Sequence, residues 1–264
     1  MSTVLKVNHL SIGRKRELLG DISFSVNSGE CILLSGANGS GKSTLLLTLA
    51  GMLPPLKGTI QPEVNGEMTR IDKDDIQMAD SMNTGRGDTA LIVMIPTRIP
   101  KVKGFTLREF VRTTCFEQSD WLGRLGKDSE EDIEKSLNRL GIIDLADKCI
   151  DTLSDGEFQK GCIAAGLVRK APVILLDEPT AFLDAENRIS VLSTIRDIAL
   201  ETGCAVLFSS HDVQDGAKVC SRVLTIGSDR QVRMSGKSAE EKYSCIKTGF
   251  KNKKLIFADY DDKQ

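Results

Sequence analysis

Apolar and polar positions alternate in short groups near the beginning of the chain. The groups Val4–Val7 and Ile22–Val26 lie on either side of a basic stretch, Gly13–Arg16. This pattern predicts two antiparallel strands joined by a turn. The run Cys31–Leu34 is apolar throughout and predicts a buried strand that leads into a glycine-rich turn.

A buried helix is predicted next, over Ser43–Ala50, because Gly51 and a following pair of prolines can end it there. The stretch Gln61–Gly87 is polar and rich in turn-forming residues, which indicates weak strands and loops. Ala90–Ile95 is again apolar and predicts another strand.

The apolar period becomes helical between Thr106 and Lys148. Ser129 and Asp132 have the spacing of a helix-capping pair, and Gly141 is suited to end the same helix. The apolar residues predicted to share one face of this segment are Ile133, Leu137, Leu140 and Leu145.

Strands and helices alternate in the second half of the chain. Apolar runs at Val173–Leu176 and Ala205–Ser209 predict buried strands. Helical patterns cover Phe158–Arg169 and Ala185–Glu201, and a further helix is predicted near Val213. Elements at this spacing predict an α/β fold with a mostly parallel central sheet that helices cover on both faces.

The order of the elements also predicts the domain organisation. One α/β domain is expected over residues 1–236, with the antiparallel strands at its N-terminus. A small helical subdomain, approximately residues 98–158, is inserted into it. The charged and polar residues 237–264 are expected to form a C-terminal appendage.

Charge and cysteine usage narrow the class of protein. The 35 basic and 37 acidic side chains give a net charge of −2, which provides no overall field to attract nucleic acid. The seven cysteines are scattered singly, as expected for reduced thiols in a cytosolic protein. Apolar runs are far shorter than the roughly twenty residues of a spanning helix, so a partner is expected to provide any association with a membrane.

A phosphate-binding loop is predicted between the strand at Cys31–Leu34 and the helix that follows. The segment fits the pattern GxxxxGK followed by Ser or Thr, in the strand–loop–helix context that this pattern requires. Its backbone N–H groups and the helix N-terminus suit a triphosphate, with Lys42 on the β and γ phosphates and the Ser43 hydroxyl on Mg²⁺. The predicted nucleotide-binding residues here are Gly36, Ala37, Asn38, Gly39, Ser40, Gly41, Lys42, Ser43 and Thr44.

Two acids end the strand Val173–Leu176. Ligands in open α/β sheets bind at such carboxyl ends, so Asp177 is a candidate Mg²⁺ ligand, either directly or through water. Glu178 is a candidate general base that polarises an attacking water. Together with the phosphate loop, the acid pair predicts a site of phosphoryl transfer.

A third segment, Leu153-Ser154-Asp155-Gly156-Glu157, precedes this strand and begins a predicted helix. By itself it could be only a helix cap, but it stands between the helical insert and the two acids. Here the chain resembles the ATP-binding-cassette (ABC) ATPases of the P-loop NTPase class, whose signature LSGGQ occupies this place. The resemblance implies that Ser154 and the N–H group of Gly156 donate to a γ-phosphate.

Two further segments support the resemblance, which extends over about residues 4–236. Pro179–Asp184 is similar to the D-loop region, so Asp184 is expected near the nucleotide. His211, within Ser209-Ser210-His211-Asp212, is similar to the family's switch histidine and is expected to contact the γ-phosphate. Lys42, Glu178 and His211 are then the catalytic residues.

The resemblance also implies an assembly. In the family, two ATPase subunits form a head-to-tail homodimer, with each ATP between the phosphate loop of one copy and the signature of the other. Closure of the dimer acts on a transmembrane permease, and importers receive their cargo from a substrate-binding protein. The chain is therefore expected at the cytoplasmic face of a bacterial inner membrane, held there by a permease, with ATP and Mg²⁺ as cofactors.

Two positions depart from the family pattern. Where an aromatic residue usually stacks on adenine, this chain has Leu10–Arg14, so Arg14 is a candidate for stacking its guanidinium on the base. Loss of the base contact is an equal alternative. Thr97 stands in place of the Q-loop glutamine, and it is the candidate to contact the metal through water; altered coupling to the permease is the alternative.

Within the family, the nearest resemblance is to importers of iron-siderophore complexes, haem and vitamin B12. It rests on the signature, on Ala181–Asp184, and on Phe105–Leu107 followed by Trp121–Gly123. An exporter subunit stays open as an alternative, as does a soluble ABC clamp acting on nucleic acid or a protein assembly. A P-loop kinase would need an acceptor pocket and would have no use for the signature segment.

Overall fold

The computed structural model describes residues 2–64, 67–69, 91–115 and 126–250. The predicted segment Trp121–Gly123, most of Gln61–Gly87 and the end of the predicted appendage lie outside these residues. Within them, none of the helices combines the length and apolar character needed to cross a membrane.

The described elements follow one another in an α/β order. The strands are β1 (Thr3–Gly13), β2 (Glu17–Asn27), β3 (Cys31–Gly36), β4 (Lys57–Val64), β5 (Glu67–Met68), β6 (Ile92–Ile95), β7 (Val173–Leu176), β8 (Ala205–Ser209), β9 (Arg222–Ile226) and β10 (Val232–Met234). The helices are α1 (Lys42–Leu49), α2 (Leu107–Thr113), α3 (Lys127–Arg139), α4 (Asp155–Val168), α5 (Ala185–Thr202), α6 (Val213–Val219) and α7 (Ala239–Thr248). Short 3₁₀ turns occupy Ile143–Leu145 and Ile150–Thr152.

Two sheets form the framework. The N-terminal sheet is antiparallel, in the order β2-β1-β4-β5, which confirms the predicted hairpin. The central sheet has the order β10-β9-β3-β8-β7-β6 and is parallel except for β10 at its edge. Every residue of β3, β7 and β8 is buried, as the continuous apolar runs predict for strands covered on both faces. The predicted fold class is confirmed.

Alternate residues of β3 face two different cores. Ile32 and Leu34 pack with the N-terminal sheet and α1, whereas Leu33 packs with the helices on the opposite face. Side chains alternate across a strand, so one buried strand supplies both cores. The central sheet is thus the middle layer, with an apolar core packed on each of its faces.

The helical part contains α2 and α3, packed against α4. Ile133, Leu137 and Leu140 are buried as predicted, while Leu145 is half-buried and lies in a 3₁₀ turn beyond the end of α3. Gly141 follows the helix with φ +65°, in agreement with its predicted role as the terminator.

The prediction that Ser129 and Asp132 cap this helix is wrong. Helix α3 begins earlier, with Gly126 at its N-cap and with Asp128 and Glu130 in its first turn. Acidic residues in a first turn are stabilised by the helix dipole, so the helix extends through both predicted capping positions. Asp132 instead forms an ion pair with Lys170.

Helix α7 lies in the predicted C-terminal appendage. Its Cys245 and Ile246 are buried, and Ile246 belongs to the same apolar cluster as Leu33. The described portion of residues 237–264 therefore packs on the domain. The boundary at residue 236 stays a prediction.

Candidate functional site

Three strand ends come together at one edge of the central sheet. Strand β3 lies between β8 and β9, and β7 lies on the other side of β8. Because these strands are parallel, the residues that follow Gly36, Leu176 and Ser209 emerge at the same edge. The predicted phosphate loop, the acid pair and His211 are therefore neighbours, although they are far apart in the sequence.

The loop after β3 has the backbone of an anion cradle. Gly39 and Gly41 have φ values of +73° and +113°, a region that other residues rarely adopt. A Cβ atom at Gly41 would also lie 3.0 Å from the Cδ2 atom of Leu18. The hydroxyl oxygen of Ser40 is buried and makes no hydrogen bond within the described structure. Such a group at the start of a helix fits a bound phosphate oxygen.

The side chain of Lys42 folds back over this loop. Its Nζ atom donates to the carbonyl oxygens of Gly36 and Ala37, at 2.9 Å and 3.3 Å. Burial lowers the pKa of Lys42, while the charges of Glu178 and Asp177 oppose this shift. The ammonium group is thus held at the mouth of the loop by carbonyl groups that a phosphate can replace.

A cavity of about 280 Å³ brings the predicted groups together. It is lined by Leu18, Asn38, Gly39, Gly41, Lys42, Ser43, Thr44, Glu178 and His211. Arg14 is exposed in the turn between β1 and β2 and does not belong to this lining. Leu18, four residues later, is part of the lining. An apolar side chain therefore lies beside the phosphate loop, whereas Arg14, the predicted base contact, does not.

The acid pair is fixed by Ser209, the last residue of β8. The Ser209 hydroxyl donates to Oδ1 of Asp177 at 2.7 Å and accepts from the N–H group of Glu178 at 2.9 Å. Asp177 is buried, and Glu178 has φ +52°, an uncommon conformation for a residue other than glycine. This geometry turns the Glu178 carboxylate toward the cavity, where its Oε1 atom lies 2.7 Å from Nε2 of His211.

The oxygens present suit a small hard cation. Ser43 and Glu178 line the cavity and Asp177 is adjacent in sequence to Glu178. Mg²⁺ prefers oxygen ligands and is commonly held by one or two carboxylates together with substrate phosphates. In the described residues, groups of three or more His, Cys, Asp or Glu side chains suited to a metal do not occur.

The signature segment forms the N-terminus of α4. Ser154 is the N-cap: its hydroxyl accepts from the N–H group of Glu157 at 3.2 Å, and its own N–H group donates to the Glu157 carboxylate at 2.8 Å. The Ser154 hydroxyl also donates to the Glu157 carboxylate at 2.7 Å, and this bond, together with the one from the Ser154 N–H group, lowers the pKa of Glu157. A Cβ atom at Gly156 would lie 2.5 Å from Cδ2 of Leu183, so the D-loop region packs directly on the signature glycine.

The D-loop region continues into α5. Asp184 caps this helix by accepting from the N–H group of Asn187 at 2.9 Å, and that bond lowers the pKa of Asp184. Arg188 in the first turns of α5 donates to the Asp212 carboxylate at 2.5 Å and to the Leu183 carbonyl at 3.4 Å. Arg188 therefore joins the D-loop region to the residue that follows His211.

Thr97 lies apart from the 280 Å³ cavity. It lines a second cavity of about 480 Å³ together with Asp155 and Phe158 of α4, the helix that begins at the signature, and Phe182 of the D-loop region. The structure thus brings Lys42, Ser43, Thr44, Glu178 and His211 into one lining, but places Thr97 and Arg14 outside it. Their predicted contacts with metal and base stay predictions.

Sequence patterns missed Leu18, Ser209 and Arg188. Ser209 could have been found, because a hydroxyl at the end of a buried strand beside two acids is available as a hydrogen-bond donor. No local sequence pattern identifies Leu18 or Arg188, because the role of each depends on contacts with distant parts of the chain.

Comparisons with known proteins identify the family of the chain. The family described as ABC transporter matches residues 19–181. The achromobactin transport ATP-binding protein CbrD of Dickeya dadantii is 28% identical over 225 residues, which cover 85% of this chain and 79% of that protein. The cobalamin import ATP-binding protein BtuD of Halobacterium salinarum is 30% identical over 214 residues, covering 81% of this chain and 50% of that protein.

A solved structure provides the same result for the fold. The chain is similar to cbiO1 from Clostridium perfringens, part of the ABC transporter complex cbiONQ, with a TM-score of 0.73. The sequences are 22% identical, and the match covers 99% of this chain and 93% of that one. At this level of identity the similarity establishes the fold alone.

Proposed function

This chain belongs to the ABC transporter family as an ABC-type ATPase, and we propose that it drives import of an iron-siderophore, haem or cobalamin complex. It would do so at the cytoplasmic face of a bacterial inner membrane, attached through permease subunits. A substrate-binding protein would deliver the cargo from the other side.

The observation that carries the proposal is the shared lining of the 280 Å³ cavity by Lys42, Ser43, Glu178 and His211. In the proposed reaction, Lys42 and the N–H groups of the loop hold the β and γ phosphates of ATP. Ser43 and Asp177 would hold Mg²⁺, which neutralises charge on the phosphates when bound. Glu178 accepts a proton from the attacking water, and His211 orients the carboxylate and contacts the γ-phosphate.

A second copy would complete the site. ABC ATPases dimerise and pair with permease subunits. In the proposed dimer, Ser154 and the N–H group of Gly156 of one copy approach the triphosphate bound to the other copy. Binding that is stronger in the closed dimer than in the open one converts ATP binding into movement.

Thr97 is proposed to take the place of a Q-loop glutamine in communication with the permease. Its place beside Asp155, Phe158 and Phe182 puts it among the signature helix and the D-loop region. The test is Thr97→Ala in the complete transporter. Unchanged permease-stimulated ATPase activity would exclude this role.

The cargo class rests on sequence similarity. The signature resembles those of siderophore, haem and vitamin B12 importers, and the two relatives described above are a protein of achromobactin transport and one of cobalamin import. In this proposal the nucleotide site acts on ATP alone, and cargo choice belongs to the permease and the binding protein.

The experiment has two stages. First, the purified chain is tested for phosphate release from MgATP with no acceptor present, which distinguishes an ATPase from a kinase. Second, the chain is reconstituted in vesicles with its permease, and ATPase activity is measured with binding protein that is empty or loaded with a ferric siderophore, haem or cobalamin. Stimulation by one loaded form supports the proposal; equal activity with all forms would reject the cargo class.

A further inference from the structure

The signature segment of this chain carries two acidic residues at a helix N-terminus that is proposed to bind phosphate. Asp155 and Glu157 both lie in the first turn of α4. A triphosphate that approaches this helix N-terminus meets favourable N–H groups, but also two like charges. The Glu157 carboxylate is engaged by the N–H and hydroxyl groups of Ser154, at 2.8 Å and 2.7 Å.

Asp155 is balanced by a different group. The Nζ atom of Lys101 lies 2.9 Å from Oδ1 of Asp155, whose side chain is 67% exposed. Within the described residues, Lys101 is the cation with which Asp155 forms an ion pair. An exposed ion pair is weak by itself, so the geometry around Lys101 decides whether it is maintained.

Two further contacts anchor Lys101. Its Nζ atom donates to the Leu153 carbonyl at 2.6 Å and lies 5.6 Å from the ring centroid of Phe158. Phe158 is buried and packs on Phe110, with ring centroids 5.2 Å apart, so the ring is a fixed support. Lys101 therefore contacts residues on both sides of Ser154, and its side chain is only 24% exposed.

Lys101 also connects two parts of the molecule. It follows β6, whose last residue, Ile95, accepts a hydrogen bond from the N–H group of Asp177 at 2.9 Å. The segment after β6 thus begins beside the acid pair and ends at the signature. In the proposed dimer, the acid pair and the signature of one copy would contact different nucleotides.

We propose that Lys101 is a positioning residue that neutralises Asp155, so that the signature of one copy accepts the triphosphate held by the other. This inference rests on the proposed ATP-bound dimer. The hydrogen bond, ion pair and ring contact described for Lys101 all lie at the signature and its helix, so Lys101 affects closure of the dimer and leaves MgATP binding by the single subunit unchanged.

The test uses the full chain carrying Glu178→Gln, to prevent hydrolysis. Sedimentation velocity gives the MgATP concentration at half-maximal dimer formation, and equilibrium dialysis at low protein concentration gives the affinity of the single subunit. For Lys101→Met we expect the MgATP concentration at half-maximal dimer formation to rise about three- to tenfold. The MgATP affinity of the single subunit should change less than about twofold. Lys103→Met is the matched control, since Lys103 is exposed two residues away, and it should behave as its parent.

Charge compensation is separated from a merely structural contact by Asp155→Asn. Added to Lys101→Met, it should return dimer formation to within about twofold of the parent, because the uncompensated acid is gone. Alone, it should lower the required MgATP concentration. Lys101→Arg should retain most of the parent's behaviour because it keeps the charge.

Several results would overturn the inference. They are normal dimer formation by Lys101→Met, failure of Asp155→Asn to restore it, or weaker dimer formation by Asp155→Asn alone. If Lys101→Met does not fold, as judged by thermal unfolding, dimer formation by Asp155→Asn alone decides whether the inference stands. Absence of an MgATP-dependent dimer in the Glu178→Gln parent would instead reject the proposed function on which the inference rests.

Discussion

The Nε2 atom of His211 lies 2.7 Å from the Oε1 atom of Glu178, and both side chains face the same cavity. Glu178 reaches this position because its backbone is left-handed and its N–H group is fixed by Ser209. The imidazole can therefore orient the carboxylate before any substrate is present. Preorganisation of this kind lowers the cost of reaching the transition state.

Glu178→Gln should retain MgATP binding and lose most hydrolysis. The amide keeps the size and one hydrogen bond of the carboxylate but cannot accept the proton of water. A general base contributes about a hundredfold or more, so turnover should fall by at least that factor. Phosphate release and nucleotide binding are measured on the same preparation. Hydrolysis near the rate of the unaltered chain would exclude Glu178 as the base.

Lys42→Ala should weaken MgATP binding. It removes a buried ammonium group that already lies against the loop carbonyls. A hydrogen bond to a charged group contributes about 1.5–3 kcal/mol, which corresponds to a loss of about ten- to a hundredfold in affinity. Isothermal titration calorimetry measures the affinity for MgATP. Lys57→Ala, at an exposed lysine, controls for the loss of one positive charge. Equal affinities for the two variants would contradict the assignment.

Gly156→Ala should impair activity without loss of stability. Alanine favours a helix more than glycine does, but its Cβ atom would lie 2.5 Å from Cδ2 of Leu183. The Leu183 side chain must then shift, which changes the contact between the D-loop region and the signature. ATPase activity and thermal unfolding are compared, and Leu183→Ala is added to make room. If the double variant remains as impaired as Gly156→Ala alone, the clash is not the cause.

Arg188→Ala should lower turnover more than nucleotide affinity. Arg188 holds the Asp212 carboxylate and the Leu183 carbonyl, and it lines a neighbouring cavity of about 520 Å³ beside His211 rather than the 280 Å³ cavity that contains the phosphate loop. Without it, the segment that carries His211 loses a tie to the D-loop region, and we expect turnover to fall about three- to thirtyfold. Arg188→Lys should recover part of the loss. A change confined to MgATP affinity would argue against this connection.

The thiols should differ sharply in reactivity. Cys149 is exposed, whereas the other six cysteines are buried. Burial raises the pKa of Cys162 to about 12 and that of Cys220 to about 11, so both stay protonated at mildly alkaline pH. Because the thiolate is the nucleophile, a maleimide at about pH 8 should label one site rapidly in the native chain. Mass spectrometry identifies it, and Cys149→Ser should abolish the rapid phase.

Much of the framework could be predicted from the sequence because its signals are local. The runs at Val173–Leu176 and Ala205–Ser209 coincide with β7 and β8, since continuous apolar segments bounded by polar residues have few alternatives. The phosphate loop was equally predictable, because its glycines, lysine and serine are adjacent. Parallel pairing then places Asp177 and His211 beside it without further information.

Contacts between distant residues could not be predicted in the same way. Lys101 meets Leu153 across 52 residues, and Arg188 meets Asp212 across 24. The turn that carries Arg14 directs that side chain into solvent, while Leu18 on the following strand reaches the loop. The predicted start of α3 is wrong because Ser129 and Asp132 have the spacing of a capping pair but lie inside the helix. The helix begins earlier, at Lys127, with acidic residues in its first turn.

The meeting of three strand ends has a consequence for biogenesis. The lining of the cavity comes from Leu18 on β2 and from the segments that follow β3, β7 and β8, and these three segments become neighbours only after their strands have paired. A chain whose later strands are absent or misregistered would therefore have no competent ligand pocket, even with its phosphate loop intact. Ligand that binds only the native state stabilises it by mass action, so ATP would favour completion of the sheet and protect newly made subunits from proteolysis.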